Sequence, residues 1–361
     1  MNRLLSHIFL TFFVTLAAIM VFTACTGGYE GKMADDEDGA VMLSFRVVMP
    51  QAFSTGKSRA EWGDAYNPDS GNDFDNFLNG NQFHVVITDN NCEKEIAVVT
   101  NLFCAKTSVG GIVSYDFVGF VGSEFIDEIK AQAKCKLHIV ANVGESVSLA
   151  GDPLFSFWGQ PDEQFTAIPM WGVATIDFSG LGIETRFDLG DVYLLRAMAK
   201  VEIKKSDVSN NVITEIKSVS INTCNTVGYL LPGKWKEATD TREISYGENI
   251  HAPEDVSSGP SVFDAVSADG VIEFYLPECP NTEQNEIKMT VIYDTAILAD
   301  QKGEIYFRNY PGDGNPDNAP IHDICRNHLY RFIILREGTE MTVIAEVKPY
   351  SVIELDPVFG L

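Results

Sequence analysis

Very few residues of this chain stand at spacings that would build a catalytic site. The sequence has no G-x-S-x-G turn to present a serine, no H-E-x-x-H zinc pair, no Walker phosphate loop and no C-x-x-C dithiol. His84 and His138 fall inside alternating apolar stretches, where a core or sheet-surface position is the default. His322 and His328 flank Cys325, at a spacing that matches no zinc pattern. Asp313, Asn315 and Asp317 follow the i, i+2, i+4 rhythm of a calcium loop. An EF-hand would also need glycine at 318 and glutamate at 324, where the chain has Asn318 and Ile324. These three residues are the one cofactor candidate, an irregular Ca²⁺ loop set against a plain Asn/Asp/Gly/Pro turn, and 69–75 (DSGNDFD) reads the same way. Trp62, Trp158, Trp171 and Trp235 could stack on sugars or simply pack. Carboxylates are too numerous to single out an acid and a nucleophile, which would need a known separation in space. The expectation is no catalytic residue, no metal site and no enzyme.

One thiol does have chemistry written around it. Arg3 opens a positively charged start, 8–22 is apolar apart from two threonines, and the run ends in Phe22-Thr23-Ala24-Cys25. It is shorter than the roughly 20 residues of a spanning helix and ends on small residues, as a secretory signal does. The last four residues resemble a bacterial lipobox, with Phe22 where leucine is more usual. In such a motif the Cys25 thiol is acylated and the signal, 1–24, is removed. Several acyl chains anchor stably, because each buried CH₂ contributes about 0.8 kcal/mol. The stretch 25–39, with four glycines and Asp35-Asp36-Glu37-Asp38, reads as a flexible acidic tether. Outside the cytoplasm the remaining six cysteines have the option of pairing, with Cys92 and Cys104 the first guess; buried free thiols are the alternative.

The charge narrows the partners. There are 26 Lys plus Arg against 51 Asp plus Glu, a net charge of −25. Nucleic acid needs a basic surface and is excluded, as is electrostatic docking on anionic lipid. Hydrophobic residues make up 45% of the chain, enough for two domains and too many for disorder. Period-two alternation predicts strands over 41–49, 83–88, 96–100, 111–121, 136–141, 193–203, 216–221, 271–276, 287–293, 304–307, 329–335 and 341–347. In 193–203 the odd positions are apolar throughout. One helix is predicted over 124–134, capped by Ser123, with Phe125, Ile129 and Ala133 on one face. The turn-rich stretches 144–169 and 232–260 read as surface excursions. Short strands separated by turns give a mainly β fold of sandwiches, divided into an N-terminal domain, 40–187, and a C-terminal domain, 188–361.

The chain ends on an amphipathic strand without a polar tail. Met341, Val343, Ala345 and Val347 share one face, and after Pro349 the apolar residues Ile353, Leu355, Phe359 and Leu361 alternate with Glu354 and Asp356. Such an end either completes its own sheet or adds to an edge elsewhere, where main-chain bonds give affinity and alternate side chains give specificity.

Several short motifs recur in order along the mature chain. They are Met170-Trp171-Gly172, the run VYLLRAMAKVEI at 192–203, GYLLP at 228–232, FYLP at 274–277, RNHLYR at 326–331, and VKPY at 347–350 with the terminal Phe359-Gly360-Leu361. Together with the Cys25 lipobox they resemble the fimbrillin-type lipoproteins of Bacteroidales, the subunits and accessory or anchor proteins of type V pili. The resemblance implies two tandem transthyretin-like β-sandwich domains with few short helices. It also implies export as a lipoprotein to the outer face of the outer membrane. An Arg-specific protease would cut near the first strand, and polymerisation would follow by donor-strand exchange with other fimbrial subunits. A host protein or glycan would be the ligand of an adhesive subunit. Arg46, inside the first strand, and Arg59, in the loop after it, are the candidate cuts, with Arg46 favoured because a cut there opens a groove. The candidate donor is 341–361, through Val343, Val347, Ile353, Leu355, Phe359 and Leu361. If neither arginine is cut, an anchor role follows; the other alternative is a surface glycan-binding lipoprotein of a polysaccharide-uptake system.

Overall fold

Alternation gives each strand one face that must be covered, and the chain covers them by building two sandwiches in series. The structure, a computed structural model, describes residues 40–48, 71–109, 112–132, 134–144, 147–180, 186–244, 250–253, 260–308 and 321–349. The first sandwich takes β1 (Val41–Val48), β2 (Phe83–Asp89), β3 (Glu95–Val98), β4 (Thr100–Val109), β5 (Ile112–Val121), α1 (Ile126–Gln132) and β6 (Lys134–Ala141). It continues through the short β7 (Leu154–Phe155), β8 (Met170–Asp177), β9 (Arg186–Tyr193) and β10 (Leu195–Arg196). The second takes β11 (Met198–Lys205), β12 (Ile213–Ile221), β13 (Gly228–Tyr229), β14 (Ser261–Phe263), β15 (Ile272–Pro277), β16 (Lys288–Thr295), β17 (Gln301–Tyr306), β18 (His328–Glu337) and β19 (Glu340–Pro349).

In the first sandwich a sheet of order β4-β5-β1-β9 faces one of order β10-β8-β6-β2-β3. Leu43 and Phe45 from one sheet meet Val85, Ile87, Leu137 and Ile139 from the other in a single core. In the second, β15-β11-β18-β19 faces β14-β12-β16-β17, with Val201, Ile203, Phe274 and Phe332 packed on Val219, Ile221 and Val291. The mainly β expectation holds, and the helix is shorter than predicted. A 3₁₀ turn (Ser123–Phe125) capped by Gly122 rather than Ser123 precedes α1, and Lys134 already belongs to β6.

The run 193–203 is not one strand. Val192 and Leu194 face the first core, whereas Ala199, Val201 and Ile203 face the second. The parity of the inward residues therefore switches across β10, and the switch hands the chain from one sandwich to the next. The first core extends through Met198, so the 187/188 position falls inside β9.

The two turn-rich stretches are not surface excursions. Phe155, Phe165 and Ile168 bury themselves in the first core, and Gly159 exchanges two 2.8 Å main-chain bonds with Tyr275 of β15. Leu230, Leu231, Trp235 and Ala238 lie over the outer face of the β6-β8 sheet, against Val140, Trp171 and Val173. Both apolar faces of that sheet are thus covered. Gly172 lets β8 pass under the next strand, since a Cβ there would stand 2.4 Å from the Tyr193 carbonyl oxygen. All six cysteines of the described residues are free, so the Cys92–Cys104 pair does not form; Cys92 is buried against the β2-β6 sheet and Cys104 is exposed on β4, in the opposite sheet. Trp171 and Trp235 are core, Trp158 packs against both cores, and Trp62 lies outside the described residues.

A buried polar knot ties the sandwiches together. Asp75 is fully buried and accepts bonds from the Tyr275 hydroxyl at 2.7 Å and the Lys200 ammonium at 3.2 Å. Lys200 also meets Glu202 at 3.1 Å and Glu273 at 3.2 Å. Burial pushes the Lys200 pKa down, but the three carboxylates outweigh it and hold the ammonium above its ordinary range. Arg196 donates to the Asp75 carbonyl at 2.7 Å and to the Asn327 side chain at 3.2 Å. Arg326 clasps Glu278 at 2.8 Å and reaches the Leu230 and Tyr229 carbonyls. Lys200 and Arg326 are paired with carboxylates and Arg196 is hydrogen-bonded, the conditions under which buried charge is tolerated.

Two outcomes test this arrangement. Asp75→Ala leaves Lys200 buried with fewer partners and should cost about 3–5 kcal/mol in urea unfolding, against about 1–1.5 kcal/mol for Tyr275→Phe; equal small losses would mean the knot is not coupled. His138 is buried between Trp171 and Trp235 and accepts or donates at Nε2 with the Thr88 hydroxyl at 3.1 Å. Burial lowers its pKa to about 3. Folded below unfolded, this imidazole opposes folding once it must be protonated, so stability is lost as pH falls from about 6.5 toward 3. The pH dependence of urea midpoints should flatten over that window in His138→Gln relative to the parent chain.

Candidate functional site

The first strand is the element whose surroundings point beyond stability. Residues 41–48 alternate because one face must be apolar: Val41, Leu43, Phe45 and Val47 are buried, while Arg46 faces solvent. Phe45 stacks on Phe117 at 5.2 Å, and Phe117 in turn meets Phe83 of the opposite sheet at 4.4 Å. β1 lies between β5, with which it pairs antiparallel from Val41↔Val121 to Val48↔Ser114, and β9, with which it pairs in parallel. A bulge interrupts the β9 side between Ser44 and Arg46. Both neighbours come from much later in the chain, so β1 is inserted into a slot that the rest of the sandwich defines.

Arg46 occupies the middle of a charged row on the outer face. Asp116 stands opposite it on β5 and Asp191 opposite it on β9, with Asp188 one diagonal step away beside Ser44. The guanidinium bonds Asp116 at 2.7 Å, half-exposed to water, and that bond raises the Arg46 pKa. Burial raises the Asp191 carboxyl, Arg46 draws it back down, and the like charges of Asp116 and Asp188 push it up again. The second cation that acts on Asp191 is Arg242, itself held in a fork by Asp240.

Of the sequence-predicted positions, Arg46, Val343 and Val347 are described. Val343 is buried in the second core and Val347 packs against it, because β19 pairs along its whole length with β18 of the same chain, from Glu337↔Glu340 to His328↔Pro349. Here the 341–349 part of the candidate donor completes its own sheet. Cys25, Arg59, Asp313, Asn315, Asp317, Ile353, Leu355, Phe359 and Leu361 lie outside the described residues. His322, Cys325 and His328 are buried singly, and among the described residues no group of three or more His, Cys, Asp or Glu side chains could hold a metal. Nor is any helix among them long and apolar enough to cross a membrane. Sequence reasoning missed the Asp116–Arg46–Asp191 row, since the register that assembles it joins residues far apart in the chain; of the 69–75 acids, Asp75 sits in a turn over 73–76, the plain-turn alternative, and also serves the buried knot.

If β1 stays, Leu43 is a core residue like any other, and Leu43→Ala should cost about 2–5 kcal/mol. If β1 has been removed and replaced, the same substitution should leave the stability of the processed protein unchanged. Denaturant titration of the full chain and of the processed form separates the two.

No sequence-family model matches the chain, and neither does any curated protein. Solved structures do. The tip fimbrial protein Mfa3 from Porphyromonas gingivalis, solved with a C-terminal truncation, is 12% identical and superposes with a TM-score of 0.52, covering 86% of this chain and 100% of its own. A cell adhesion protein from Bacteroides uniformis is 10% identical with a TM-score of 0.46, over 87% of this chain and 99% of its own. An adhesin from Bacteroides ovatus is 12% identical with a TM-score of 0.36, over 87% and 96%. At these identities the likeness is one of fold: the chain shares the fold of the tip fimbrial protein Mfa3 over 86% of its length.

Proposed function

We propose that the chain is a non-enzymatic structural or adhesive subunit of a cell-surface fimbria, exported as a lipoprotein through Cys25 and assembled by protease-triggered donor-strand exchange. The observation that carries the reading is β1 itself. It is the first described strand, it fills a slot between β5 and β9, and the sequence that follows it, 49–70, carries a second arginine. A cut after Arg59 frees the whole of β1; a cut after Arg46 leaves Val47 and Val48 behind. The Arg46 peptide is paired with strands on both sides, so a protease reaches it only after β1 has begun to peel. That favours Arg59 as the first cut, the reverse of the order the sequence suggests.

Loss of β1 would expose four buried apolar side chains' worth of groove, about 1.5–3 kcal/mol for each of Val41, Leu43, Phe45 and Val47. It would also leave two ladders open along β5 and β9. A substitute strand therefore has a strong driving force. The fold likeness to a fimbrial tip protein supports the reading. With 341–349 held in β19, the part of this chain left to act as a donor is 350–361, through Ile353, Leu355, Phe359 and Leu361. In this reading the partners are other fimbrial subunits and the outer membrane, with a host ligand for an adhesive subunit.

The test is processing of the purified mature chain by an Arg-specific protease. Digestion should yield one stable core starting at Ala60 or Val47, and Arg59→Gln with Arg46→Gln should abolish it. The processed core should form ladders on unboiled gels in the presence of fimbrial subunits. A chain that resists the protease, or that is degraded throughout, would count against donor-strand assembly and leave a permanently lipidated anchor.

A further inference from the structure

The charged row around Arg46 gives the slot a sign. Asp116 and Asp191 face each other across the strand between them, with Asp188 beside Asp191, and the group that now stands between them is the Arg46 guanidinium. Arg242, the second cation acting on Asp191, is committed to a two-toothed pair with Asp240. Arg46 belongs to the strand, and the aspartates belong to the slot. Whatever strand replaces β1 inherits three carboxylates on its outer face.

The natural first candidate for that strand is the terminal segment of a second copy. Its sequence is YSVIELDPVFGL, 350–361, and it contains no lysine, arginine or histidine. With Ile353, Leu355 and Phe359 turned into the core, the residues turned outward are Tyr350, Val352, Glu354, Asp356, Val358 and Gly360. No register and no strand direction sets a cation between Asp116 and Asp191, and several set an acid there. Like charges directly opposite one another across strands are destabilising.

Resting on the donor-strand reading above, we propose that the slot of β1 selects its occupant by charge: it accepts an apolar-alternating strand of another protein that carries Lys or Arg at the Arg46 position, and it rejects the acidic terminal strand of its own kind. The slot is then a hetero-acceptor, and the chain occupies a fixed place in an assembly instead of repeating along it. The discrimination combines an attractive and a repulsive element, the usual way an interface separates similar partners. It acts at a half-exposed site, so salt weakens it.

Protease-processed protein and synthetic peptides test this directly. The probes are the chain's own 40–48 segment (AVMLSFRVV), the same peptide with Arg46→Gln and Arg46→Glu, the native 350–361 peptide, and that peptide with Glu354→Lys and Asp356→Lys together. At low ionic strength the 40–48 peptide should bind, and Arg46→Glu should weaken it about tenfold or more, with Arg46→Gln intermediate. The doubly lysine-substituted terminal peptide should bind more tightly than the native one. Asp116→Asn with Asp191→Asn in the chain should erase these preferences, as should 1 M salt. If the arginine and glutamate peptides bind equally well, or the native 350–361 peptide binds as tightly as 40–48, charge selection is overturned while the donor-strand reading stands. If no peptide, 40–48 included, binds the processed protein, the donor-strand reading has failed and this inference with it.

Discussion

A strand bonded to neighbours on both sides can leave a sheet only if something takes its place. β1 is in that position. Its amides and carbonyls serve β5 on one side and β9 on the other, and its alternate side chains supply part of the first core. Unpaired ladder groups are costly where water is excluded, and an open apolar groove is costly where water reaches it. The neighbours that hold β1 come from 112–121 and 186–193, so the slot is built by the rest of the sandwich. In the proposed reading, an early strand in an interior slot is what would allow one chain to be both a stable precursor and an acceptor.

The remainder of the architecture keeps that slot rigid. The 71–79 segment is anchored through Asp75 to Lys200 and Tyr275 of the second sandwich and through Phe77 to Asn142. A chain cut upstream of residue 71 would thus keep its new beginning fastened to the domain junction. The second sandwich grips the first through 154–168 and 228–244, and residues 39–361 form one unit. The polar knot, in which Lys200 and Arg326 meet carboxylates and Arg196 meets carbonyl and amide oxygens, fixes the register of that junction more sharply than apolar packing would.

Much of this was legible in the sequence. The period-two pattern located β1, β2, β6, β12, β15, β16, β18 and β19 to within a few residues, because each has one face in water or against a second layer. The motifs that carry the family resemblance also acquire reasons. Gly172 and Gly228 permit close approach of backbone and ring, Arg196 and Arg326 are buried donors of the junction, and Tyr275 caps Asp75. What was not legible is tertiary. Turn residues in 144–169 and 232–260 look like solvent loops, yet Phe155, Phe165, Trp235 and Ala238 within them are buried against the sheets. The parity switch at β10 hides in a run that alternates apolar residues on either reading. The charged row depends on a register between residues far apart in the chain, which no local pattern encodes.

The most direct measurement is the intact mass and N-terminal sequence of the protein taken from its native cell surface, within any assembly it forms. The account predicts a start at Ala60 or Val47, with the slot filled by a segment of a different protein that cross-links to β5 and β9. Assembled material that begins at acylated Cys25 and retains 41–48 in place would contradict it.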